Sequence, residues 1–173
     1  WHNGNTILLS NTVINSGANG INVTVSANTT ASYNAISNSS IHGIQLRYSG
    51  YNIIAGNNIY NTTGNSTHLY YSGPSIIEFN TITRSLQSGI VLDNSRDSVV
   101  QYNTIRNTSF GKFYVYAYFG TAYAGIDSYY SQNSTIFNNT ISNSTWDGIH
   151  LYFSNFSRAN YNNIQNPGGH GIL

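Results

Sequence analysis

The sequence predicts an all-β fold, a single-stranded parallel β-helix of about seven coils of 23 residues. Three observations predict it. The triplet Asn-x-Ile/Val starts at residues 11, 34, 57, 80 and 103, then at 139 and 162; every step is 23 except one of 36, which is 23 plus a 13-residue insertion in the fifth coil. Other columns of residues keep the same register along the whole chain. Between them lie short period-2 apolar runs bounded by Gly, Asn and Ser, a strand signature with no sustained 3.6-residue stripe.

Each element of the coil follows in order. The marker residues Asn11, Asn34, Asn57, Asn80, Asn103, Asn139 and Asn162 come first. An amide both donates and accepts, so stacked equivalents can bond along the rod and to local backbone, forming a structural ladder. A second column follows four residues later at Asn15, Asn38, Asn61, Asn107, Asn143 and Asn166, with Arg84 as the exception. Nine residues after the marker stands Gly20, Gly43, Gly89, Gly125, Gly148 or Gly171, with Ser66 as the exception. Ile21, Ile44, Ile90, Ile126, Ile149 and Ile172 come next, with Thr67 out of pattern. Two residues further are Val23, Leu46, Leu69, Leu92 and Leu151, with Ser128 out of pattern. Ser26, Ser49, Ser72, Ser95, Ser131 and Ser154 close that strand, and another strand such as Ser75-Ile76-Ile77-Glu78-Phe79 precedes each marker. Coils stacked at about 4.8 Å make a rod about 30 Å long.

The repeat makes residues 1–173 one domain, with 110–123 as an aromatic insertion loop. Trp1 and Leu173 both fall in mid-coil. A piece of a longer chain is expected, or else a unit that self-associates end to end or on other surface proteins.

Charged residues are 6% of the chain, against roughly 25% in typical soluble domains. That excludes a nucleic-acid surface, which needs clustered Lys and Arg. With five carboxylates and little proton linkage, stability is expected to vary weakly between about pH 2 and 5. No Cys is present, which removes disulfides, thiolate zinc sites and thiol catalysis. No apolar run reaches the length of a membrane span, and no cofactor is implied. Ten triplets fit the glycan acceptor pattern, at Asn22, Asn28, Asn38, Asn61, Asn65, Asn107, Asn133, Asn138, Asn143 and Asn155. Attached N-glycans would help to solubilise a surface so poor in charge, and an extracellular or cell-surface location is expected.

The repeat reads best from Asn139 to Ser154 as Asn-Thr-Ile-x-Asn-Ser-x-x-x-Gly-Ile-x-Leu-x-x-Ser. This resembles the right-handed parallel β-helix repeat family, which includes NosD-like periplasmic proteins and pectin-processing enzymes. The resemblance implies right-handed coils. It leaves function open, because the family holds lyases, hydrolases, binding proteins and inert fibres. The composition, rich in Asn, Tyr and Ser, resembles secreted surface proteins of acid-living archaea.

Chemistry is sought on the outward face of the strand after the Gly. One column there reads Asn22, Gln45, His68, Val91, Asp127, His150. The next reads Thr24, Arg47, Tyr70, Asp93, Tyr129, Tyr152, and Asn19, His42, Asn65, Ser88, Ala124, Asp147 and His170 precede the Gly. The catalytic candidates are Asp93, Asp127, Asp147 and His150, since carboxyl pairs separated by about 5–9.5 Å serve glycoside hydrolysis. The competing reading is a solvated strand face with an Asp–His contact. Gly169-His170-Gly171 resembles the Gly-His-Gly of polygalacturonases, but Asp-Asp, Asn-Thr-Asp and Arg-Ile-Lys are missing. A lyase wants a basic residue, for which only Arg47, Arg96 and Lys112 offer themselves. Asp127, His150 and His68 suggest no shared metal, because His68 stands two coils, or about 10 Å, from Asp127.

The insertion presents Phe113, Tyr114, Tyr116, Tyr118 and Phe119, either folded back on the coil or forming an interaction loop. Tyr48, Tyr71 and Tyr130, with Tyr70, Tyr129 and Tyr152, extend that surface. The sequence therefore points first to a structural or adhesive, filament-forming surface module. Its alternative is a polysaccharide hydrolase or lyase, or a non-catalytic sugar-binding module.

Overall fold

The computed structural model describes residues 4–109 and 123–173. Among them are twenty strands and no helix. Each coil contributes three strands, as in Asn52–Ala55, Asn58–Thr62 and Thr67–Tyr70. Equivalent strands stack into three parallel sheets of seven, seven and six strands. The third sheet sets the number of complete coils at six, and the last expected third-sheet pairing shrinks to the isolated bridge Ile149↔Ile172. The 23-residue step is the observed register: Ile53 faces Ile76 in the first sheet, and Ile59 faces Ile82 in the second. Register survives the insertion, with Ile105 facing Ile141 and Ile90 facing Ile126. The insertion leaves after second-sheet strand Thr104–Thr108 and rejoins before third-sheet strand Ala124–Tyr129. Its aromatic residues Phe113, Tyr114, Tyr116, Tyr118 and Phe119 lie outside the described residues.

Strand alternation fills the interior. Ile36, Ile59, Ile82, Ile105 and Ile141 point inward from the second sheet, and each is at most 1% exposed. Ile44, Ile90, Ile126 and Ile149 meet them from the third sheet, and Ile54, Ile77, Val100 and Ile136 from the first. Each such side chain contributes about 1.5–3 kcal/mol by leaving water. The Gly column exists because the chain passes too close to its neighbour for a side chain. A Cβ on Gly43 would lie 2.6 Å from Ile59 Cγ2 and 2.5 Å from the Ser66 carbonyl oxygen. In the exceptional coil Ser66 is accommodated by hydroxyl contacts, 2.6 Å to Ser85 Oγ and 3.1 Å to Thr62 Oγ1. Thr67, in an isoleucine column, leaves a buried Oγ1 without a partner.

The corners share one device. A residue with φ from 48° to 65° turns the chain and points outward, and the next residue turns a polar side chain inward. The doublets in one coil are Gly56–Asn57, Asn61–Thr62 and Tyr71–Ser72, with the second member buried each time. The left-handed conformation costs a non-Gly residue roughly 1–2 kcal/mol. The inward partner offsets this by satisfying backbone that no sheet reaches. Asn57 donates both its backbone N–H and an Nδ2 hydrogen to Asn80 Oδ1, each at 2.9 Å, and Asn57 Nδ2 also donates to the Ala31 carbonyl at 2.8 Å. The pattern repeats from Asn11 to Asn162. Serines do the same at the next corner: the Ser72 N–H donates to Ser95 Oγ at 2.9 Å and the Ser95 N–H to Ser131 Oγ at 2.8 Å. The second asparagine column is an exposed ladder, in which Asn61 Nδ2 donates to Asn38 Oδ1 at 2.8 Å and Asn38 Nδ2 to Asn15 Oδ1 at 2.9 Å.

A central rung removed should therefore cost more than an end rung. Asn80→Ala strands the Asn57 N–H and takes the side-chain donor from the Ile54 carbonyl, while the Asn103 amide oxygen keeps only the backbone N–H of residue 80. At about 1–3 kcal/mol for each buried unpaired group, denaturant unfolding is expected to show a loss of about 3–5 kcal/mol. Asn11→Ala, at an exposed position, is expected to cost under about 1 kcal/mol in the same assay.

Candidate functional site

Third-sheet strands Ile21–Thr24, Ile44–Arg47, Thr67–Tyr70, Ile90–Asp93, Ala124–Tyr129 and Asp147–Tyr152 carry the outward columns. Their inner members are mostly Ile and Leu, with Val23, Thr67 and Ser128 in the same inward positions, so alternation turns the intervening residues outward. The pairing runs Asn22, Gln45, His68, Val91, Asp127, His150 up the rod, and Thr24, Arg47, Tyr70, Asp93, Tyr129, Tyr152 beside it. The face divides into two halves at Val91.

In the lower half a hydrogen-bonded chain fixes two histidines. The Asn65 N–H donates to His42 Nδ1 at 3.0 Å, so the neutral ring carries its proton on Nε2. That nitrogen lies 3.3 Å from His68 Nδ1, which also faces Gln45 Nε2 at 3.3 Å, while Gln45 Oε1 accepts from Asn19 Nδ2 at 2.9 Å. Both contacts bring donors to His68 Nδ1, so its own proton sits on Nε2. Desolvation by burial lowers His42 to about 4. Desolvation, helped by His42 and Arg47, lowers His68 to about 3. The sequence columns named these residues without showing that they form one network. Adding 26 to His42 gives His68, a diagonal step to the next coil that the repeat makes available.

In the upper half Asp127 and His150 meet at 2.9 Å, through Oδ1 and Nδ1, with Asp127 1% exposed and His150 6%. Burial pushes Asp127 up to about 6, against the opposing pull of His150, and the bond to Asp127 holds His150 above its ordinary value. With Nδ1 committed to Asp127, His150 Nε2 is the nitrogen left to exchange a proton. Asp93 is half-buried, accepts from Asn94 Nδ2 at 2.7 Å, and is raised by burial. One coil and two residues separate it from Asp127, about 8 Å between Cα atoms at ordinary strand spacing.

Asp147 does different work. The residues before the Gly form another ladder: Asn19 Oδ1 accepts the His42 N–H, Asn65 Oδ1 the Ser88 N–H, and Asp147 Oδ1 the His170 N–H at 2.7 Å. His170 Nδ1 also lies 3.2 Å from that oxygen. Asp147 thus fills a backbone-bonding position that asparagine fills in two other coils. Asp93, Asp127 and His150 stand outside every ladder. His68 and Asp127 are separated by Val91 in their column, and no three His, Asp or Glu side chains converge as metal ligands among the described residues.

Aromatic rings line this face toward the next corner. Tyr129 and Tyr152 stack at 5.5 Å and 4°, and Tyr130 and Phe153 at 5.0 Å and 10°. Lower down, Tyr48 stacks on Tyr71 at 5.8 Å, and the Arg47 guanidinium lies 5.3 Å from the Tyr70 ring. Of the acceptor asparagines, Asn22, Asn28, Asn38, Asn133, Asn143 and Asn155 are exposed, and Asn61, Asn107 and Asn138 are half-buried. Asn65 is 8% exposed and holds the Ser88 N–H, an environment closed to a glycan.

The expectation of weak acid dependence is corrected by the histidines. Depressed folded values mean that the unfolded chain binds more protons between about pH 3 and 6.5, so stability is full above 6.5 and falls as pH drops toward 4 and then 3. Asp127 and His150 act oppositely, since their folded values are raised. Their contribution is present at low pH and lost as pH rises through about 6 and above. Two large depressions outweigh these, so the melting temperature is expected to fall between pH 6.5 and 3. His68→Asn should flatten that slope, as read in thermal melts across the range.

No curated protein matches the chain in sequence. Among solved structures, the mannuronan C-5 epimerase AlgE6 A-module of Azotobacter vinelandii superposes with a TM-score of 0.79 at 16% identity, covering 97% of this chain and 48% of that one. A double mutant of the periplasmic alginate epimerase AlgG gives 0.73 at 17% identity, covering 99% of this chain and 45% of that one. A mutant DFA-IIIase from Arthrobacter chlorophenolicus A6, in complex with DFA-III, gives 0.72 at 16%, covering 92% and 40%. The chain therefore spans less than half the length of each of these, and at such identities the likeness is one of fold. The model of the right-handed β-helix region matches residues 1–121, most of the chain, and the protein belongs to the right-handed β-helix family.

Proposed function

We propose that the protein acts on carbohydrate, binding a glycan along the outer face of the third sheet and cleaving it by acid–base chemistry. The observation that carries this reading is the Asp127–His150 pair, buried beside a row of stacked aromatic rings and outside every ladder that holds the coils together. Rings stacked on one another at the coil spacing present a row of edges along the rod, an apolar track that suits a ligand that is itself a chain of rings. The fold likeness to alginate epimerases and DFA-IIIase supports this reading over a structural or filament-forming module.

The Cα atoms of Asp93 and Asp127 stand about 8 Å apart by strand geometry, and two side chains leaving the same face at that spacing suit the window of about 6.5–9.5 Å that inverting glycosidases leave between their carboxyl groups. In this scheme the Asp127–His150 pair delivers a proton to the departing glycosidic oxygen. Asp93 takes a proton from the water that attacks the sugar carbon, so one bond to oxygen breaks as another forms. An extracellular or cell-surface setting fits such a substrate, and the exposed acceptor asparagines fit that setting.

The test is a polysaccharide panel assayed for bound glycan and for new reducing ends. Asp127→Asn and His150→Gln are expected to lower turnover by about 10²–10⁴ while leaving glycan retention in place. Asp147→Asn is expected to stay within about fivefold, because asparagine already fills that ladder position in other coils. Absence of both binding and cleavage across the panel would remove the reading.

A further inference from the structure

We infer that the glycan taken by this face is uncharged, a neutral polysaccharide and not a polyuronate. The inference rests on the glycan-active reading and adds the substrate class to it. The chain has five carboxylates, and Asp93, Asp127 and Asp147 all lie on third-sheet strands of three successive coils. Arg47 is the one arginine on those strands. Its guanidinium lies over the rings of Tyr70 and Tyr48, at 5.3 and 5.8 Å, and its column reaches Asp93 only two coils on. Arg84 and Arg106 belong to the second sheet, Arg158 to the first, and Arg96 to the turn beyond Asp93. The two lower histidines meet donors at His42 Nδ1 and His68 Nδ1, which holds them neutral.

A polyuronate carries one carboxylate per sugar. Laid over the aromatic row, it would bring like charges against Asp93 and the Asp147 rim with no arginine or lysine beside them among the described residues, Lys112 lying outside these, and partial burial strengthens that repulsion. A polyuronate site calls instead for bidentate arginine or lysine aimed at each carboxylate. Neutral sugar has the complementary groups. Its hydroxyls donate to carboxylate oxygens, and its apolar C–H groups pack against the edges of the stacked pairs Tyr129–Tyr152 and Tyr130–Phe153. A cationic amino-sugar polymer finds less than three free charges, because Asp127 is engaged by His150 and Asp147 by His170.

Affinity electrophoresis and calorimetry of the whole chain against mannan, β-glucan, alginate, polygalacturonate and chitosan, at low and moderate salt, decide the matter. The expected result is binding to a neutral member with less than about twofold salt dependence. Arg47→Ala is expected to keep that affinity within about threefold. Preference for alginate or polygalacturonate, weakened by salt and lost in Arg47→Ala, would overturn the charge class and leave the glycan reading standing. Preference for chitosan would overturn it likewise. Binding to no member would bring down the glycan reading itself.

Discussion

The structure depends on a backbone that cannot be satisfied by sheets alone. Three parallel sheets leave their corners with N–H and C=O groups facing inward, and each corner answers with a side chain that bonds to the next coil. Asn57 illustrates the constraint, since one amide closes contacts with Asn34, Asn80 and the Ala31 carbonyl. Because every rung serves two coils, equivalent side chains must lie directly above one another. The 23-residue period is the covalent form of that demand. A 13-residue insertion is tolerated only because it leaves and re-enters at corresponding points, so that Asn103 still reaches Asn139.

The same constraint explains a surface with so little charge. The residues that turn each corner adopt left-handed backbone and point outward, so Tyr, Phe and Asn occupy positions where glycine is the easier choice. Stacked at coil spacing, they cover each other: the Tyr33 ring lies over Gly56, where a Cβ would come within 2.7 Å of it, and Phe79 stacks on Tyr102 at 5.1 Å. Amide rungs and ring stacks thus do at the surface what ion pairs do on other proteins. The corner rings Tyr130 and Phe153 beside the third sheet are a by-product of how the corners are built.

Much of this was legible in the chain because the repeat converts sequence distance into spatial contact. Adding 23 to Asp127 gives His150, and adding 23 to Asn34 gives Asn57; both pairs touch. The serine column was equally visible, but its role was not, because a hydroxyl accepting a backbone proton leaves no mark in composition. Tyr48 and Tyr71 in left-handed conformation were illegible for a related reason: Tyr is a poor predictor of that region, and only the neighbouring ring makes it tenable. The weak acid dependence expected from few carboxylates failed on His42 and His68. Their burial comes from packing between adjacent coils, which counting charges does not register.

The ladders also separate the residues that build the rod from those that are free to change. A carboxylate at position 147 is expensive only if nothing uses it, and here the His170 N–H does. Asn19 and Asn65 show that a neutral amide meets the same need. No such need exists at position 127, where Val91 and His68 occupy the equivalent slots without disturbing the register. A charge held there at 1% exposure opposes folding unless a partner takes up its field, and His150 is that partner. An aliphatic residue fits one coil below, so the stacking of coils does not require an ionisable pair at this position, and that is why the proposed chemistry is placed there.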